Sequence, residues 1–192
     1  MKKRNSLIIT SSALSFILLS SYIPVTYAEQ EGFFSWLITL ERRKGVKPVE
    51  DATYNEECGS CHFSYQPGFL PEASWQKLLT RKALEKHFGE NAELDEKDRK
   101  HILAIAVNNS ADKSRYKRSK KVMVSLEENE APMRITKVRY IHDKHEEVYE
   151  DVVKNSKKIK SMSLCDECHQ KARQGVFDDD TVVIPDYGRW TW

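Results

Sequence analysis

Two pentapeptides of one form, Cys58-Gly59-Ser60-Cys61-His62 and Cys165-Asp166-Glu167-Cys168-His169, use every cysteine in the chain. Two thiols at that spacing add across the two vinyl groups of a single haem, and the adjoining histidine then lies beneath the iron as its proximal ligand. The pattern therefore points to two covalent c-type haems. Cys58, Cys61, Cys165 and Cys168 are the thioether attachments, and His62 and His169 the proximal ligands.

A lone C-x-x-C-H is a weak signal, because thiol redox motifs share its first four positions. With 6 His among 192 residues, a chance His behind both cysteine pairs has a probability of about one in a thousand. A four-thiolate zinc ribbon would space its pairs by ~15 to 20 residues, whereas about a hundred lie between Cys61 and Cys165. A thioredoxin-like motif needs a strand ahead of the cysteines, and neither pair has a convincing one. A purely structural disulfide pair leaves both trailing histidines unexplained.

The sixth coordination position has to come from His87, His101, His142, His145, Met123, Met133 or Met162. Met raises the potential of a haem iron relative to imidazole, so the choice bears on function. Trp75, Leu79, Ala83 and His87 recur every four residues, which on a helix aims the His87 imidazole into the same interior as the first haem. His145 stands likewise between Ile141 and Val148, with Val152 beyond. His142, one turn away, shares its face with Glu146 and Tyr149 and is the rival to His145 as distal ligand. His101 adjoins Lys97 and Lys100 and is expected in solvent. The methionines lie in polar contexts that suit gap-filling or exposure.

Helices must carry these side chains. Phe33, Trp36, Leu37 and Leu40 form one stripe that ends at Gly45 and Pro48. A short helix over 54–63 holds the first motif, and Gln66-Pro67-Gly68 turns the chain. The spacing predicts helices over 71–88, with Gly89 as cap, and over 95–108, with Asp95 at the N-cap. A third runs over 138–154 on the rhythm of Val138, Ile141, His145, Val148 and Val152. Between them the basic stretch 111–121 lacks periodicity and reads as a linker or surface loop, so the domain boundary falls at 112/113. Phe63, Tyr65, Phe69, Leu70 and Trp75 are candidates for the wall of the first haem pocket. Thr181 to Ile184 is a short extended run. The fold class is mostly α: two small haem-organised domains, 29–112 and 113–192, the second irregular.

Lys2, Lys3 and Arg4, the apolar run Leu7 to Leu19 and the small residues before Glu29 read as a secretory signal over 1–28, cleaved after Ala28. No membrane span is expected once it is removed, because the apolar run is short of the ~18–20 residues a spanning helix needs. Export agrees with haem attachment, which bacteria perform outside the cytoplasmic membrane, and places the protein in the periplasm. Losing Lys2, Lys3 and Arg4 takes the formal charge from +2 to −1, which removes the global basis for binding nucleic acid. The run Lys113 to Lys121 stays basic and could serve as a docking patch for an acidic redox partner. A chain with 31% charged residues and a mean hydropathy of −0.63 has little apolar material to bury. Haem would supply much of its core.

Glu57-Cys58-Gly59-Ser60-Cys61-His62, Tyr65-Gln66-Pro67-Gly68-Phe69-Leu70-Pro71, Ser74-Trp75 and His87-Phe88-Gly89-Glu90-Asn91-Ala92 together resemble the bacterial dihaem cytochrome c family. Arg134-Ile135-Thr136, His145-Glu146-Glu147, the second haem motif and Ile184-Pro185 extend the resemblance over about residues 54 to 185. It implies two bis-histidine haems with His87 and His145 as distal ligands, and a first domain similar to a small helical cytochrome c. It also implies a carrier of single electrons between a membrane b-type cytochrome or quinol pool and a small monohaem cytochrome c. The chain departs from the family where Pro-Trp-Phe is common before the distal histidine: it has Val138-Arg139-Tyr140, and adds His142. An enzyme of the peroxidase or reductase type would instead need one open or labile distal site.

Overall fold

The computed structural model describes residues 45–190 apart from 147, 149, 157 and 160. The signal segment 1–28 and the expected stripe over 33–44 lie outside the described residues. Eight α-helices, five single-turn 3₁₀ helices and one hairpin make up the regular structure among the described residues. In order the α-helices are α1 (Ala52–Gly59), α2 (Glu72–Leu78), α3 (Arg81–Leu84), α4 (Glu96–Asn108), α5 (Lys117–Ser125), α6 (Arg139–Asp143), α7 (Glu150–Asn155) and α8 (Cys165–Cys168). The hairpin strands β1 (Val183–Ile184) and β2 (Gly188–Arg189) pair antiparallel, Val183 opposite Arg189 and Ile184 opposite Gly188. The molecule is mostly helical, as the sequence implies, with a minor sheet at its C-terminal end.

Two of the expected long helices are interrupted. The stretch 71–88 breaks after Leu78 because the Arg99 guanidinium takes the Leu79 carbonyl at 2.8 Å and Thr80 Oγ1 accepts from the Ala83 amide to start α3. His87 therefore sits past α3, in a turn where His87 and Glu90 form a bridge and Phe88 and Gly89 both take positive φ. The stretch 138–154 likewise stops at Asp143. His145 Nδ1 donates to the Ile141 carbonyl at 2.7 Å, the acceptor an uninterrupted helix would give to the His145 amide, which bonds to the His142 carbonyl instead.

The basic stretch 111–121 is a correction of the opposite kind: it is no loop, but a 3₁₀ turn (Ala111–Lys113) followed by α5. α5 is anchored by Ser119 and Val122, both fully buried. Ser119 is polar, so the burial left no apolar periodicity in the sequence. Gly68 makes the contact possible, since a Cβ there would meet Ser119 Oγ and Val46 Cγ1 at 2.6 Å.

The main apolar cluster gathers Tyr54, Phe63, Phe69, Leu70, Trp75, Ile102 and Val122 around α2, α4 and α5, and extends to Ala172 and Phe177. A smaller one joins Val152, Ile159, Val182 and Ile184, with Cys168 against it. No helix among the described residues is long and apolar enough to cross a membrane.

Candidate functional site

The first motif begins on α1, which Asp51 caps by accepting the Tyr54 amide at 2.8 Å. Cys58 lies in the last turn and Cys61 and His62 follow it. The His62 and His87 rings lie with centroids 6.2 Å apart and planes 19° from parallel. His62 Nδ1 meets the Phe63 carbonyl at 2.7 Å. A carbonyl only accepts, so Nδ1 carries the proton and Nε2 keeps its lone pair. Burial, with His62 and Arg134 nearby, lowers the His87 pKa and so favours the neutral imidazole.

The second motif forms the single turn α8, with His169 at its C-cap and bridged to Val182. His169 and His145 lie 6.0 Å apart at 77°. Nδ1 of His145 is tied to the Ile141 carbonyl, which again leaves Nε2 as the lone-pair atom. Burial, helped by His145 and Arg118, pushes His169 down to about 4, and its Nδ1 is buried without a partner among the described residues. Cys165, Cys168, His169 and His145 line a mostly apolar cavity of about 680 Å³, within the roughly 300–1,000 Å³ that ligand and cofactor sites occupy.

The donor geometry can be tested against a metal. Two imidazole–metal bonds of about 2 Å, plus the distance from each ligating nitrogen to its ring centre, put a trans pair of rings about 6 Å apart. Both histidine pairs have that spacing. His142 is exposed and turned to Asp143 and Glu146, at 3.6 and 3.7 Å. His101 is exposed and bonded to Asp51 at 2.8 Å. Met123 packs against the core, while Met133 and Met162 are exposed.

The four thiols form no disulfide, and the two cysteine pairs do not converge on one ligand set among the described residues, as a four-thiolate zinc site would require. Burial pushes the Cys58 and Cys165 thiols up to about 12 and raises Cys168, which disfavours a resting thiolate nucleophile.

Arg118, hidden in the basic run, is a site residue the sequence did not reveal. It lines the second cavity, and its guanidinium donates to the Tyr140 hydroxyl at 3.0 Å, the Phe177 carbonyl and Asp178. Only the fold brings those three acceptors together, so no local signal could have identified it.

A family model described as dihaem cytochrome c matches residues 54–177. Among solved structures, a dihaem c-type cytochrome of Shewanella baltica OS155 is 34% identical, with a TM-score of 0.60 over 74% of this chain and 99% of that one. A dihaem cytochrome c of Rhodobacter sphaeroides is 35% identical, with a TM-score of 0.60 over 69% of this chain and 100% of that one. No curated protein sequence matches the chain. The paired motifs, the paired histidines and these likenesses agree: the chain belongs to the dihaem cytochrome c family and is an electron carrier with two c-type haems.

Proposed function

We propose that both irons are six-coordinate and bis-histidine, ligated by His62 and His87 at the first site and by His169 and His145 at the second. Cys58 and Cys61, and Cys165 and Cys168, hold the two macrocycles as thioethers. The observation that carries this reading is the spacing of the two ring pairs, 6.2 and 6.0 Å. His145, and not His142, stands opposite His169. Each haem supplies a one-electron ferric/ferrous couple.

The protein's own groups set the terms of that couple. Imidazole on both axial sides favours a lower potential than a His/Met pair. The Phe63 and Ile141 carbonyls orient their histidines and strengthen them as donors. With histidines holding each iron from both sides, no place would be left for a substrate on iron, and the protein would pass electrons between redox partners without transforming them. The resemblance suggests a membrane b-type cytochrome and a small monohaem cytochrome c as those partners. We further infer export to the periplasm on the signal 1–28, and two haem-organised lobes, 29–112 and 113–192, that share the main apolar cluster.

Pyridine haemochrome analysis with intact mass tests the reading. The expected result is two haems on a chain beginning near Glu29, with low-spin spectra and no carbon monoxide binding when reduced. High-spin features or carbon monoxide uptake by the native protein would overturn bis-histidine closure.

A further inference from the structure

We propose that Tyr65 is the electronic bridge between the two haem sites, an inference that rests on the bis-histidine reading above. Its ring stacks on His62 with centroids 4.9 Å apart and planes at 30°. Its hydroxyl donates to the carbonyl of Ser163, 98 positions along the chain and two residues before Cys165. The same side chain lines the second cavity together with Cys165 and His169. Tyr65 thus touches a ligand of one site and the wall of the other.

Electronic overlap falls off more slowly through covalent and hydrogen bonds than across a gap between unbonded atoms. The stack on His62, the aromatic ring, the O–H···O=C bond and the backbone from Ser163 to Cys165 make a short route with one stacking contact and one hydrogen bond. One electron leaves the reduced site and arrives at the oxidised one. Tyr65 keeps its proton throughout and is neither oxidised nor reduced, so it acts by overlap alone. Phe63 packs edge-on against Tyr65 at 5.6 Å and limits the tilt of its ring.

The test uses the full exported protein with both haems. Electron exchange between the sites is followed by NMR of half-reduced samples and by pulse radiolysis, in wild type, Tyr65→Phe and Tyr65→Leu. Potentials and low-temperature EPR spectra are recorded alongside. Tyr65→Phe, which keeps the ring and loses the hydroxyl, should slow exchange several-fold. Tyr65→Leu should slow it by an order of magnitude or more. Both potentials and both low-spin signals should hold, which a merely structural role for Tyr65 would not produce.

A wild-type rate in Tyr65→Leu, with signals and potentials intact, overturns the bridge. If the leucine variant does not accumulate, a wild-type rate in Tyr65→Phe overturns the hydrogen-bonded route by itself. Failure of the bis-histidine reading is separate and visible in the wild type, as a high-spin signal or a methionine-to-iron charge-transfer band.

Discussion

The side-chain amide of Gln66 joins the two haem-motif regions: its Nε2 donates to the Ala172 and Arg173 carbonyls at 3.3 and 3.4 Å, 106 and 107 positions along the chain. Its Oε1 accepts from the Val49 amide at 2.8 Å. Gln66 is four residues after His62, and Ala172 three after His169, so this buried amide, with the Tyr65–Ser163 bond, ties the two attachment points together. Gln66→Leu has nearly the same size but leaves the Val49 N–H and the Arg173 carbonyl without protein partners, while the Ala172 carbonyl keeps the Gly175 amide. Each such group costs about 1–3 kcal/mol, and the denaturation midpoint of the holoprotein should fall accordingly. An unchanged midpoint would mean the amide contributes little.

The two histidine pairs differ in the angle between their rings, 19° at the first site and 77° at the second. In low-spin ferric iron, parallel imidazole π-orbitals lift one of two d-orbitals above the other, and crossed rings leave them nearly degenerate. The oxidised protein should therefore give two EPR signals, one rhombic and one strongly anisotropic with a large maximum g. Two superimposable rhombic signals would show that both sites adopt parallel rings.

His145→Ala should open the second site alone. Reduced protein would then bind carbon monoxide at one haem, and the strongly anisotropic EPR signal would be lost. His142→Ala should do neither, because its ring points to Asp143 and Glu146. The reverse outcome would exchange the two assignments.

The sequence revealed the chemistry further than the architecture. Both motifs name their residues by spacing, and His87 and His145 were marked by neighbours that are apolar at helical intervals. The geometry presenting them was not legible, because side-chain bonds to backbone carbonyls, one distant in sequence and one local, cut both helices. The Leu79 carbonyl goes to Arg99, and the Ile141 carbonyl to His145's own ring. Neither competitor leaves a trace in a periodicity of apolar residues. α5 was hidden for a related reason: Ser119 is its fully buried polar contact, and Arg118 turns inward to Tyr140 and Phe177. A basic stretch looks solvated until those acceptors are in place.

Gly175 closes the turn after the second haem motif at φ +74°, and a Cβ there would meet the Val46 carbonyl oxygen at 2.0 Å. The Val46 amide donates to the Gly175 carbonyl at 2.9 Å, so the two backbones are in direct contact. Gly175→Ala would combine left-handed strain of about 1 kcal/mol or more with that clash. Expected is a clear drop in Tm, with loss of holoprotein yield, since this backbone contact holds the segment that follows His169. A normal Tm would show that the contact yields without cost.

Glu96 offers a pH-dependent test of the scaffold that leaves the haem ligands untouched. It stands in the first turn of α4, where negative charge suits the helix dipole, and pairs with Arg99 and Arg81 at 2.9 Å each. The Arg99 hydrogen bond, aided by Arg81, lowers its pKa to about 2, below the roughly 4.3 of an unfolded Glu. Because the folded value is the depressed one, the stabilisation is fully present above about pH 4.3 and is lost as pH falls through about 2. Glu96→Gln should therefore melt below wild type at neutral pH, with the gap closing as the pH approaches 2. Glu96 and Arg81 are open to solvent, although Arg99 is mostly covered, so the gap should be modest and should narrow in high salt. A gap of constant size from pH 7 to pH 2 would mean that Glu96 acts through packing, since only an ionised carboxylate loses its partners on protonation.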